Sequence, residues 1–307
     1  MTTNSSLTEG VGARAKMTQI QFAALAYRCT TKKVSSSLRN LFATYKPNRA
    51  SSLDSSLVAS CLLNGWNTEF LLRYNAKSLT GDALRNSIQW AFPQAYYSVF
   101  STTRAFFYAA GHTEAHHASI IRKVGALMKS RRYPEVLSFL CDGGKSDIYI
   151  NITRSHIPST LYFQKHDPQS TDTQICQFLH ATRNIDLAER KKNIRIVTAA
   201  GKRKTHFSSS DWESVSRSLC LTSILSLLYR KRRKANYDDI DTFLSNQLDP
   251  NELYSDLTHI VSMLNLCHEA FIASIVGRRA YVAMTRRAHD KGHGFIRRRY
   301  QMIETMV

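Results

Sequence analysis

The chain has 307 residues, 43% hydrophobic and 21% charged, which is the profile of an ordinary soluble globular protein, so disorder is not the default. Lysine and arginine number 42 against 23 acidic residues, so the formal charge is +19 and the surface field favours polyanions, nucleic acid first among them. No apolar run approaches the roughly 18 residues of a membrane span, no signal-peptide stretch opens the chain, and the six cysteines form no CxxC pair. A cytoplasmic protein that keeps off membranes is expected, without a zinc knuckle or a disulfide framework.

In chain order, residues 1–16 are polar and small and read as a loose tail. An apolar stripe over 18–28 (Ile20, Phe22, Ala23, Leu25, Ala26) predicts a helix, and the serine-rich stretch 35–56, with Pro47, predicts a short helix with loops. Helices follow over 57–74 and over 82–110, the second N-capped by Asp82, stopped at Gly111 and open to a kink at Pro93. In it Ala95, Val99, Ala105 and Ala109 let another helix approach, while Tyr96, Phe100, Phe107 and Tyr108 supply buried area, so the segment reads as core. Thr113 caps a helix over 114–130, with His116, Ile120 and Val124 on one side.

Between Gly143 and Phe207 the period alternates. Strands are predicted over 147–153 and 159–164, and again in "NIRIVTA" and "RKTHF" around an Ala-Gly-Lys turn, with a helix at about 173–190 between them. Helices resume after Ser208 in "SSDWESVSRSLCLTSILSLLYRKRRK". A long one over 250–287 carries the stripe Leu253, Leu257, Ile260, Leu264, Cys267 and Phe271.

Two blocks, "AYYSVFSTTRAFFYAAGHTEAHHASII" and "LLYRKRRKANYDDIDTFL", resemble the HEPN family, the "higher eukaryotes and prokaryotes nucleotide-binding" helical domain of toxin–antitoxin, defence and RNA-processing systems. The likeness covers about residues 84–280. It implies a mainly α protein, a HEPN-like helical bundle, here departing from the compact form by a small β-hairpin element inserted at about 145–207. The chain then divides into a tail with accessory helices (1–80), the helical domain (81–287) and a basic C-terminal tail (288–307).

The resemblance implies that catalytic members pair an arginine with a histidine, four to six residues lying between them, the histidine assisting attack by the ribose 2′-hydroxyl and the arginine stabilising the phosphate. Here only Arg286 or Arg287 with His293 meets the spacing. Arginine is common enough in this chain to produce such pairs by coincidence, and a flexible basic loop explains them as well. The histidines of "GHTEAHH" (His112, Glu114, His116, His117) lack a metal-ligand spacing such as HExxH, and the helix boundary at Gly111 and Thr113 accounts for them; no metal and no cofactor is expected. Asp238, Asp239 and Asp241 would suit magnesium, yet they follow a basic run and suit a helix start equally.

The arginine and lysine clusters carry the binding expectation. Arg190, Lys191, Lys192 and Arg195 precede a hairpin whose turn bears Lys202, Arg203 and Lys204. The C-terminal stretch adds Arg278, Arg279, Arg286, Arg287, Lys291, Arg297, Arg298 and Arg299, interleaved with Tyr281, Phe295 and Tyr300, a mixture suited to phosphate contacts and base stacking. An RNA-binding protein is therefore expected, RNA before DNA, of toxin–antitoxin, phage-defence or mobile-element type. The alternatives are a metal-independent endoribonuclease using Arg286/Arg287 and His293, and a homodimer or non-catalytic subunit of a larger complex.

Overall fold

The computed structural model describes residues 3–48, 54–113, 115–144, 148–155, 164, 167–198, 201–235, 247–289 and 294–306. Glu114, the strand expected over 159–164 (Gln164 excepted), the acidic trio Asp238, Asp239 and Asp241, and Lys291 and His293 lie outside the described residues. Eleven α-helices are described: α1 (Thr3–Arg28), α2 (Thr31–Thr44), α3 (Ser55–Ser78), α4 (Gly81–Ala109), α5 (His117–Lys129), α6 (Pro168–Asn193), α7 (Ser209–Arg217), α8 (Ile224–Arg233), α9 (Pro250–Val276), α10 (Arg278–His289) and α11 (Gly294–Glu304). A two-stranded antiparallel hairpin, β1 (Leu140–Asp142) with β2 (Ile148–Ile150), pairs Leu140 with Ile150 and Asp142 with Ile148. The protein is mainly α with a small β-hairpin, as expected.

The centre is the α3–α4 hairpin with α9 laid against it. α3 starts where the Asp54 carboxylate accepts from the amides of Ser56 and Leu57, and it buries Val58, Leu62, Trp66, Glu69 and Leu72 along one stripe. α4 presses close because Gly65 has no side chain: a Cβ there would lie 2.7 Å from Thr102 Cγ2. Pro93 is buried within α4 and does not end it, and the chain leaves the helix through Gly111, at φ +85°. α9 is long and apolar enough to cross a membrane by length and composition, contrary to the expectation that no segment is; 83% of that window is buried inside the protein. Its stripe packs on α1, α3 and α4.

Several boundaries differ from the sequence reading. The segment 1–16 is not a loose tail: from Thr3 it belongs to α1, since the stripe ending in Phe22 and Leu25 docks on Phe92 and Phe178 and adding turns to a formed helix costs little. α5 begins at His117, with His116 and not Thr113 at the cap. Within the element at 145–207 the helix expected at about 173–190 is longer, because α6 starts at Pro168 behind the Asp167 cap and runs 26 residues. Its second hairpin reduces to one bridge, Val197 with Arg203, across the turn at Gly201 (φ +74°). The single helix expected over 250–287 is broken at Gly277, whose φ of +84° ends α9 and starts α10 in a new direction. α1 and α3, read as accessory, share one continuous core with α4 and α9, and so does α11, read as tail.

Candidate nucleic-acid interface

α6 and α8 both end in cations, and the last turn of α8 lies along the C-terminal half of α6: Arg230 Nη1 donates to Thr182 Oγ1 (2.8 Å) and Arg233 pairs with Glu189 (3.2 Å). Cations complement the negative helix ends, which favours this arrangement locally. Of the expected residues, Lys192, Arg195 and Lys202 are exposed at this end. Others have structural work as well. Arg203 donates to the carbonyl of Lys192 (2.7 Å) and closes the end of α6. Arg190 donates to Ser218 (2.9 Å), Lys204 pairs with Asp211 (3.0 Å), and Lys191 sits over the rings of Phe207 and Trp212. Within α8, Lys231 turns inward to Thr18, whereas Arg232 lies over Tyr97 at 5.1 Å and Tyr229 at 5.5 Å.

Arg232 joins the basic end to an aromatic shelf built on α4, α5 and α8. His117 lies 4.3 Å from the Phe100 ring centre and stacks on Tyr229, and its Nδ1 is 2.7 Å from the Tyr96 hydroxyl. Burial, then Arg232 and Arg104, hold the imidazole below its usual value, so it is neutral at pH 7. The Nε atoms of Arg104 and Arg232 are buried without an acceptor. Among the described residues no group of three side chains is placed to hold a metal. Between α5, α6 and α8, with Tyr229 common to both, opens a pocket of about 340 Å³ lined by Ile121, Ile185, Asp186, Glu189, Arg190 and Arg230 among others. Burial and then Glu189 push the Asp186 carboxyl up to about 6, with Arg183, Arg230 and Arg233 opposing.

The C-terminal cluster is divided. Arg299, expected to face nucleic acid, is instead 3% exposed and donates to both Glu69 of α3 and Glu269 of α9, 2.6 Å from the latter. It is a core residue because the two buried carboxylates need a counter-charge. Trp66, Tyr281 and Asn265 donate to the same carboxylates, and the second Glu69 cation is Arg73 at 2.7 Å. Burial raises Glu269; at Glu69 the burial is outweighed by Arg299 and Arg73, which hold it below the usual range. Arg278 and Tyr300 are engaged with Glu304. The guanidiniums of Arg73 and Arg299 both lie over the Phe295 ring, at 4.7 and 5.3 Å. Arg279, Arg286, Arg297 and Arg298 are exposed, and Arg298 borders a cleft of about 710 Å³ with Lys77, Arg73 and Phe295. The side chain of Arg287, with Lys291 and His293, is outside the described residues, and the expected catalytic pair lies there with them.

Sequence reasoning passed over Arg104, Asp186 and the run Arg230–Arg233 as site residues, and weighed His117 only as a metal ligand. The run was visible as charge; that it meets the end of α6 is a fact of packing. No protein-family model, curated protein or solved structure matches this chain.

Proposed function

We propose that the protein binds RNA through the basic end formed by α6 and α8, on a HEPN-like helical scaffold. The observation that carries this reading is the convergence of two helix ends bearing Arg190, Lys191, Lys192, Arg230, Arg232 and Arg233 beside the aromatic shelf of Tyr97, His117 and Tyr229. Guanidinium and ammonium groups neutralise phosphates, and ring faces accept unstacked bases, the combination used on single strands. Packing of α8 on α4 and α5 supports the HEPN-like reading, since those helices hold the two resembling blocks. The C-terminal cleft is the weaker site, its Arg73 and Arg299 being committed to Glu69.

A second reading, a metal-independent endoribonuclease, is favoured by one observation: a neutral imidazole, His117, in the field of Arg104 and Arg232. When Nδ1–H donates to the Tyr96 oxygen, Nε2 is left as a base for a ribose hydroxyl, with arginine at the phosphate. One experiment tests both. Labelled single-stranded RNA is incubated with the protein in EDTA and scored for shift and cleavage. Binding is expected, and the triple variant Lys192→Glu, Arg195→Glu, Lys202→Glu weakens it at least about tenfold, since each lost phosphate contact is a substantial share of the affinity. Unchanged affinity in the triple variant overturns the assignment. Cleavage abolished by His117→Asn with binding retained selects the enzyme.

A further inference from the structure

The pocket between α5, α6 and α8 contains an imbalance that packing does not explain. Among the described residues no donor forms a hydrogen bond to Asp186, although the carboxylate is half-buried and four cations, Arg190, Arg230, Arg233 and Lys234, line the same pocket. Arg230 is equally incomplete: Nη1 donates to Thr182, but Nε is buried without an acceptor. Asp186 and Arg230 attract one another, yet they make no direct bond. A structural pair would close that gap, because buried polar groups left unpaired cost stability. A carboxylate acceptor and a guanidinium donor that line one pocket without bonding to each other suit a ligand that carries donors toward one and an acceptor toward the other.

The charge of the walls narrows the ligand. A metal ion or an amine would be repelled by the surrounding guanidiniums, so the donors must belong to a neutral group on an anionic molecule. The walls Ile121, Ile185 and Leu219 are apolar, Tyr229 offers a ring, and about 340 Å³ is at the small end of ligand pockets. A nucleobase meets these conditions. Adenine and cytosine offer a carboxylate one exocyclic amine, and uracil one imide N–H between two carbonyls. Guanine alone presents two adjacent donors, N1–H and N2–H, beside an O6 acceptor.

We infer that this pocket reads guanine in single-stranded RNA: Asp186 accepts from N1–H and N2–H, Arg230 faces O6, Tyr229 flanks the ring, and Arg190 with Lys234 meets the phosphate. The inference rests on the RNA reading above and adds a base preference to it. An acidic side chain within a polyanion-binding end is thereby accounted for, because it excludes bases that return only acceptors or a single donor.

The test is fluorescence anisotropy with three labelled RNAs of equal length: all uridine, uridine with one central guanosine, and uridine with inosine at that position. The guanosine strand is expected to bind at least about fivefold tighter than the uridine strand, the lower end of what one two-point base contact contributes. Inosine, which lacks N2–H, loses most of that gain without any change to the protein. Asp186→Asn binds the guanosine, inosine and uridine strands without the wild-type difference between them. Equal binding of guanosine and uridine strands by the wild type, or a preference that survives Asp186→Asn, overturns the pocket and leaves RNA binding standing. If no strand binds, the RNA reading falls, and titration with guanosine and uridine monophosphates decides the pocket alone: discrimination upholds it, and none overturns it.

Discussion

Arg297, Arg298 and Arg299 stand side by side in α11, and successive helical residues point about 100° apart, so one of them faces the core while two face water. The signal for this was present: Ile296, Arg299 and Ile303 fall at i, i+3 and i+7, one apolar face interrupted by an arginine. Reading the segment as a charge cluster hid that face. Glu69 and Glu269 were hidden for the complementary reason, since a glutamate within an apolar stripe gives no clue to a partner about 30 or 230 residues away until the helices are packed. The difference is measurable. Arg299→Met leaves two buried carboxylates short of a counter-charge and should cost about 3–5 kcal/mol in denaturant unfolding. Arg298→Met, at an exposed position, should fall within about 0.5 kcal/mol of the wild type. Equal costs at the two positions would contradict the buried ion pair.

Helices were legible through their stripes more than through their caps. The stripe of α9 follows the sequence pattern from Pro250, behind the Asp249 cap, whereas Asp54 and Asp167 before Pro168, which also accept from first-turn amides, were not read as caps, so α3 and α6 begin before the 57 and about 173 expected, and Thr80, not Asp82, stands at the cap of α4. Strands were less legible because β1 and β2 have three residues each, too few for alternation to stand apart from a helix end. Gly277 was overlooked since an apolar stripe continues on both sides of it, and only the positive φ marks the break. The closest element contact depends on another glycine. Alanine at Gly65 would place Cβ 2.7 Å from Thr102 Cγ2 and 3.1 Å from the Ser98 carbonyl, so α3 must move away from α4. That shift also stretches the bond from Ser98 Oγ to the Gly65 carbonyl, now 2.9 Å. Gly65→Ala should therefore destabilise the protein by about 1–3 kcal/mol, the range for overpacking, despite the better helix propensity of alanine. A melting temperature unchanged or raised would show that the two helices have slack.

At the scale of the molecule, a charge of +19 raised the expectation of a polyanion partner without saying which side would receive it. The fold distributes the cations unevenly in usefulness: Arg299 and Arg73 are bound to Glu69 and Arg278 to Glu304, whereas Lys192, Arg195 and Lys202 at the α6 end, and Arg279, Arg297 and Arg298 at the C-terminal end, face solvent. Two ends that both carry exposed cations but differ in their surroundings separate a site from a field. If RNA is attracted by net charge alone, reversing three cations at either end removes the same six charges and weakens binding equally. If the α6–α8 end is the site, its phosphates are contacted directly and each released counterion enters the salt dependence; about four contacts on a single strand give a slope near −3 in log affinity against log salt. Lys192→Glu, Arg195→Glu, Lys202→Glu should then flatten that slope by about 2, while Arg279→Glu, Arg297→Glu, Arg298→Glu lowers affinity at low salt and leaves the slope within about 0.5 of the wild type. Identical slopes for both triple variants would assign binding to the whole charged surface and remove the helix ends from the account.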